Sequence, residues 1–314
     1  VTTQPTTLGQ AAAFLDRTYT GESRAALTAD TLANDLYWHI HCRVDDAAEA
    51  RARFAEPADA AVFVERLAAV NAGRGSWQRG WTIAKLDSHG AIARAFSVNF
   101  RVAAADIRPD GGTLVEGAPA IVRIPNEYRN LSFGYYTALG NTDHDPVLLP
   151  TVRVYWNVGA EDAPALVAGI TRLLNVARVP FRFKVPSHPD RFMRADSGVL
   201  YLPSDRIADA WPALKKVHST IGSRLRAHLS PLIKPIARGV GAAHDPGDGS
   251  SYGTHRCARM AAALLSEAAV TAPTPAARLA AAEAHLRSDG IDPERPWLAP
   301  GAEDNLRPFT RASR

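Results

Sequence analysis

"TVRVYWNVGAEDAPALVAGITRLLNVARVPFRFKV", residues 151–185, is the stretch that decides the fold. Its opening alternates with period two. Val152, Val154, Trp156 and Val158 fall on one face, and Arg153, Tyr155 and Asn157 on the other, as in a half-buried strand. The middle, "EDAPALVAGITRLLNVARV", predicts an amphipathic helix with acids at its start and Pro164 in its first turn. "PFRFKV" is a second strand, with Phe181, Phe183 and Val185 on one face and Arg182 and Lys184 on the other. Strand, helix, strand predicts that the two strands are parallel neighbours. A third strand follows at "SGVLYL" (197–202).

Working outward, "DRIADAWPALKKVHSTIGSRLRAHL" (205–229) reads as a helix with Pro212 near its start. "PLIKPIARGVGAAHDPGDGSSYG" (231–253) reads as a loop, and "THRCARMAAALLSEAA" (254–269) as a helix capped by Thr254. One more helix is expected at about Pro275 to Arg287, before a Pro-rich end. On the N-terminal side, Ala11 to Arg17, "DTLANDLYWHIHCR" (30–43) and Ala58 to Val70 carry helical spacing. "NAGRGSWQRG" (71–80) reads as a loop. Between Trp81 and Ile124, short apolar runs broken by "DSHG" and "RPDGG" are hairpin chemistry. "RIPNEYRNLSFGYYTALGN" (123–141) reads as a partly ordered, functional loop. The expected class is α+β: a central mixed or antiparallel sheet flanked by helices. Its parts are a helical N-terminal region (1–75), an α+β core (76–270) and a C-terminal helix and tail (271–314). One continuous domain is the simplest reading.

The bulk numbers narrow the function. A net charge of +4 over 314 residues is too small to argue for non-specific nucleic-acid binding. No run approaches the roughly 18 apolar residues of a membrane span, and "VTTQPTTLGQ" lacks the blocks of a secretory signal. Two cysteines give no disulfide framework, so the cytoplasm is the expected compartment. "NAGRGSWQRG" follows no strand and ends in no Gly-Lys-Ser/Thr, and "YRNLSFG" is no nucleophile elbow. His39, His41 and Cys42 find no matching third ligand cluster, so no metal site is expected.

The cations are more informative. Arg153, Lys184, Arg194 and Arg256 come from four separate elements, and Lys85 and Arg123 from two more. If the strands pair as read, Arg153 and Lys184 share the face that carries Tyr155 and Asn157. Asp190 and Asp196 are the nearby acids that could balance them. Two readings compete. One is a solvated basic sheet face; the other is an anion pocket, in which guanidinium groups grip phosphate bidentately and lysine adds a point charge.

Phe-Lys-Val (183–185), then Arg-x-Asp-Ser-x-Val-Leu-Tyr (194–201), then Gly-x-x-Arg-Cys (253–257) together resemble the HopA-type effector family, over roughly Gly80 to Glu267. Members resembling this chain look like the lyase components of class V lanthipeptide and thioamitide pathways. The resemblance implies removal of phosphate from phosphoserine or phosphothreonine, leaving dehydroalanine or dehydrobutyrine. A more distant likeness, to effector phosphothreonine lyases, implies Lys184 as general base and Arg194 as phosphate ligand. Where those lyases carry Lys-x-His on a strand, this chain has Arg153-Val154-Tyr155. The acid is therefore sought first at Tyr155, then at His39 or His255.

A phosphate dianion needs several fixed cations, so Arg153, Arg194 and Arg256 are expected around it, with Lys85 and Arg123 as further candidates. Asn157, Tyr135, Tyr136, Asp196 and His255 are the expected substrate contacts. The elimination requires no cofactor. The implied partners are a phosphorylated precursor peptide and a separate kinase, whose signatures this chain lacks; neither nucleic acid nor membrane is expected. A non-catalytic phosphopeptide-binding or effector-like protein is the competing class.

Overall fold

A computed structural model describes residues 6–55, 59–95, 98–129, 131–142 and 150–309. The class is α+β, and every strand pairing is antiparallel.

The N-terminal helices are α1 (Thr7–Thr18), α2 (Gly21–Ala25), α3 (Ala29–Leu36), α4 (Ala47–Ala55) and α5 (Ala61–Val70). The helix expected over 30–43 stops being α-helical at Leu36. The chain widens into a π turn over Tyr37–His41, closed by Cys42 N–H donating to the Tyr37 carbonyl at 2.8 Å.

A five-stranded sheet follows: β1 (Ser76–Asp87), β2 (Gly90–Ala95), β3 (Val98–Ala103), β4 (Ile107–Pro109) and β5 (Pro119–Ile124), in the order β3-β2-β1-β5-β4. β1 therefore begins inside the stretch read as a Gly-rich loop. The edge strands β3 and β4 are joined by a single 3-10 turn, Ala104–Asp106, so the sheet must curl back on itself. Ile83, Ala93, Val102, Ile107 and Val122 fill its own small core.

The second sheet is larger. It contains β6 (Glu127–Tyr128), β7 (Tyr135–Leu139), β8 (Thr151–Trp156), β9 (Arg182–Pro186), β10 (Gly198–Pro203), β11 (Lys234–Ala237) and β12 (Val240–His244), ordered β11-β12-β8-β10-β9-β7-β6. This corrects two expectations. β8 and β9 are parallel to each other but not neighbours, because β10 lies between them and runs antiparallel to both. Residues 234–244, read as loop, form the β11–β12 hairpin.

Alternation along β8, β9 and β10 sends Val152, Val154, Trp156, Phe183, Val185, Leu200 and Leu202 to one face. There they meet α6 (Ala163–Val176) and α7 (Ile207–Ile221). Leu166, Val167, Ile170 and Leu174 recur at helical spacing along α6 and are fully buried against this face. Each such side chain contributes roughly 1.5–3 kcal/mol relative to exposure. α7 ends at Ile221, earlier than its pattern suggested. The opposite face is covered by α1, α3, α8 (Tyr252–Leu264) and α10 (Pro275–Ser288), with α9 (Glu267–Val270) between the last two. Ser251, rather than Thr254, caps α8: its Oγ accepts from Thr254 N–H at 3.2 Å.

Candidate active site

Sheet register builds the site. In an antiparallel sheet, residues directly opposite share a face. Val199 of β10 stands between Tyr155 of β8 and Lys184 of β9, and Tyr201 stands between Arg153 and Arg182. Two adjacent rungs thus place three cations and two tyrosines on the face that α8 and the π turn cover. A small cavity of about 40 Å³ remains there. Its walls include Arg153, Tyr155, Lys184, Arg194, Asp196 and Tyr201, joined by Tyr37, His41, Tyr135 and the first turn of α8.

Arg194 sits in the turn before β10, and 5% of its surface is exposed. It grips Asp196 with both arms of its fork, Nε to Oδ1 at 2.8 Å and Nη2 to Oδ2 at 2.6 Å. It also donates to the Tyr37 hydroxyl at 2.6 Å. Burial works against both charges, but the pair outweighs it. Burial would raise the Asp196 carboxyl; Arg194 and the His41 hydrogen bond hold it well below the usual range. The guanidinium stays firmly cationic for the converse reason. Arg226, not singled out by its sequence context, positions this turn by donating to the carbonyls of Phe192 and Arg194.

Arg153 is likewise built in. Its Nε donates to Asp245 at 2.6 Å and its Nη2 to the Ser250 carbonyl at 2.8 Å. The second bond ties β8 to the residue before the α8 cap and so holds the helix N-terminus at the cavity. Ser251, Tyr252 and Gly253 line it, and a helix leaves its first-turn N–H groups without internal partners, which favours an anion.

Lys184 differs from both arginines. Its ammonium lies 4.7 Å from the Tyr135 ring centroid and 5.7 Å from that of Tyr201. Among the described residues it has no carboxylate partner. Of the cavity's cations, Arg194 holds Asp196 and Arg153 holds Asp245, and Lys184 is the one without a carboxylate among the described residues. Desolvation pushes the Tyr135 hydroxyl up to about 12 against the opposing pull of Arg194, and burial pushes Tyr155 well above its ordinary value. Both phenols therefore keep their protons.

His41, rather than His39, enters the site. The π turn stacks its ring on Tyr37, with centroids 5.6 Å apart, and brings Nε2 to 3.4 Å from Asp196 Oδ2. Its Nδ1 lies 3.1 Å from Ser230 Oγ. His39 packs instead on Phe14, centroids 5.0 Å apart, outside the cavity.

Several other expected contacts also lie elsewhere. Arg256 is buried and donates to the carbonyls of Pro296 (2.7 Å) and Leu298 (2.9 Å), which makes it a tie to the C-terminal segment. His255 pairs with Arg256 and approaches Asp248; burial and Arg256 lower its pKa. Asn157 lies past the end of β8 and donates to the His228 carbonyl. Tyr136, one residue from Tyr135, points to the opposite face and donates to Glu127 at 2.6 Å. Lys85 and Arg123 belong to the five-stranded sheet; Lys85 is exposed, and Arg123 lies 3.5 Å from Asp106. Among the described residues, no group of three or more His, Cys, Asp or Glu is placed to hold a metal ion, and no helix is long and apolar enough to cross a membrane.

Fold and site define an α+β protein with a buried pocket walled by aromatic rings and lined by Arg153, Lys184 and Arg194. The chain belongs to the HopA1 effector protein family, which matches residues 127–298, the seven-stranded sheet and α8 included, while Tyr37 and His41 of the pocket lie outside that span. Its fold is similar to that of the effector protein from Pseudomonas syringae pv. tomato strain DC3000, with TM-score 0.54, 15% identity, and coverage of 93% of this chain and 96% of that one. The effector protein from Pseudomonas syringae pv. syringae strain 61 gives TM-score 0.51 at 15% identity, covering 95% and 98%. No curated protein sequence matches the chain.

Proposed function

We propose that the chain is a lyase that eliminates phosphate from phosphoserine or phosphothreonine of a ribosomal precursor peptide, giving dehydroalanine or dehydrobutyrine. The observation that carries this reading is Lys184. It is an ammonium without a carboxylate partner among the described residues, facing two buried arginines and a helix N-terminus across one small cavity. In its neutral form Lys184 takes the Cα proton. The C–H electron pair becomes the Cα=Cβ bond, the Cβ–O bond breaks, and the leaving phosphate oxygen takes a proton. Arg153, Arg194 and the Tyr252 and Gly253 amides at the start of α8 hold the phosphate, which carries about −1.5 to −2 charges. His41 is the donor to the leaving oxygen, because its Nε2 faces the cavity beside Asp196. No step calls for a cofactor. A separate kinase supplies the phosphorylated peptide, and the setting is the cytoplasm.

A second reading, a phosphopeptide-binding protein without turnover, is favoured by one observation. Both arginines already hold carboxylates, so the pocket has less free positive charge than its residue list implies. Incubation with a phosphothreonine peptide separates the two. Mass spectrometry showing loss of the elements of phosphoric acid supports the lyase; binding with no mass change supports the second reading.

A further inference from the structure

His41 stands between two openings of the protein. Its Nε2 faces the pocket beside Asp196, at 3.4 Å, while its Nδ1 lies 3.1 Å from Ser230 Oγ. Ser230 lines a different, outward-facing groove of about 720 Å³, whose walls include Thr7, Arg43, Pro231, Pro293 and Trp297. We propose that Ser230 is a proton relay that recharges His41 from this rear groove while phosphate occupies the front pocket. The proposal rests on the lyase reading and deepens it.

The hydrogen-bond network sets the direction. Asp196 Oδ2, an acceptor 3.4 Å from Nε2, favours the proton on Nε2, so Nδ1 of the neutral ring accepts from Ser230 Oγ, which itself accepts from Leu232 N–H at 3.2 Å. A ring that accepts at Nδ1 carries its proton on Nε2, facing the pocket. The ring has little freedom to leave this pose. It stacks on Tyr37, meets Tyr155 edge-on with centroids 5.9 Å apart, and lies against Gly253. Ser230 is itself only 3% exposed, so one hydroxyl separates the imidazole from the groove.

The proton balance closes. As the Cβ–O bond breaks, the phosphate oxygen takes the Nε2 proton, Nδ1 takes the Ser230 hydroxyl proton, and Ser230 takes one from water in the groove. Once phosphate leaves, the proton held by Lys184 passes through pocket water to Nε2. Nδ1 then returns its proton to Ser230, and Ser230 returns one to the hydroxide in the groove. The Cα proton has in effect been delivered to phosphate, and no water is consumed.

The test uses the full chain and a phosphothreonine peptide. The Cα hydrogen does not come from solvent, so a proton inventory in mixed H₂O and D₂O, taken on a single turnover before Lys184 is reset, reads the protons that move with the breaking Cβ–O bond. The wild type is expected to give a curved inventory, from two or more protons in flight. Ser230→Ala should lower kcat at least tenfold, in line with the size of general-acid effects, leave KM within about twofold, and make the inventory linear. Ser230→Thr, which keeps the hydroxyl, should restore both kcat and curvature. A linear wild-type inventory overturns the relay even if Ser230→Ala fails to fold, as does Ser230→Ala turning over at the normal rate or Ser230→Thr failing to rescue a folded protein. Absence of elimination by the wild type overturns the lyase reading and the relay with it; elimination with a linear inventory overturns the relay alone.

Discussion

Gly253 lies so close to His41 that a β-carbon added there would stand 2.2 Å from the imidazole Cδ2. The glycine of the Gly-x-x-Arg-Cys motif is therefore set by a ring more than two hundred residues earlier in the chain. Its backbone is ordinary helix, so only this approach demands glycine. Gly253→Ala should destabilise the fold by about 1–3 kcal/mol through overpacking and remove turnover by displacing the ring. In a His41→Ala background the sign should reverse, because alanine is favoured over glycine within a helix by about 1 kcal/mol. Urea unfolding of the four proteins of this cycle measures both terms.

Arg194 and Asp196 act as one unit. Removing only the arginine leaves a carboxylate buried, which costs about 3–5 kcal/mol. Arg194→Ala should therefore unfold at markedly lower urea, and Arg194→Leu with Asp196→Leu should recover most of that loss. Both variants should fail to bind phosphopeptide. Equal stability of the single and double variants would argue against a coupled pair.

Lys184→Met should abolish elimination and leave phosphopeptide affinity nearly unchanged, since the two arginines do most of the holding. Lys85→Met and Arg123→Ala should alter neither rate nor affinity, because both lie in the other sheet. Calorimetry and mass spectrometry on the same preparations check the division of roles.

Acid should weaken the fold through Asp196. Its folded pKa lies below the ordinary 3.8, so the unfolded chain takes up the proton first as pH falls. The stabilisation is complete above 3.8 and drains as pH drops from there toward the folded value. Asp196→Asn, less stable at neutral pH, should show a flatter loss of stability through that window. Urea midpoints measured across it give the slope directly.

Arg256→Ala should behave as a stability variant. It leaves the Pro296 and Leu298 carbonyls without their charged donor, and bonds to charged groups contribute about 1.5–3 kcal/mol each. Phosphopeptide affinity at a temperature where the variant is folded should match that of the wild type.

Much of this was legible in the residues. Period-two alternation in "TVRVYW", "RFKV" and "GVLYL" placed Arg153, Tyr155 and Lys184 on one face, because the other face is buried hydrocarbon and cannot tolerate a slip of register. The order of the strands was not legible, since strand–helix–strand is equally compatible with a strand inserted later between the two. The β11–β12 hairpin escaped for a different reason. Gly241, Ala242 and Ala243 have little strand preference, and Gly241 is small because a β-carbon would meet Ile233 at 2.6 Å. Which of His39 and His41 lines the pocket was not legible, and His39 was preferred as acid, because a 3.6-residue period cannot foresee a π turn, and such turns are frequent at functional sites. Tyr135 and Tyr136 were expected together because 123–141 read as a loop; as strand β7 they point to opposite faces, and Tyr135 is the one that lines the cavity. Arg256 carried the right motif, but its burial against backbone carbonyls depends on a segment forty residues away.

The Arg256 tie and the His41–Ser230 contact also fix when the pocket can exist during synthesis. The two partners of the second contact are 189 positions apart, and the first reaches forward another 40 to 42 residues to the carbonyls of 296 and 298. A ribosome delivering about 5–20 residues per second exposes His41 many seconds before either contact can form. Until then the N-terminal helices emerge with their apolar faces uncovered, while Arg153, Lys184 and Arg194 are already outside without the helix that closes over them. The pocket of a growing chain is therefore incomplete for most of its translation, and the chain is most exposed to chaperones and proteases in that same interval.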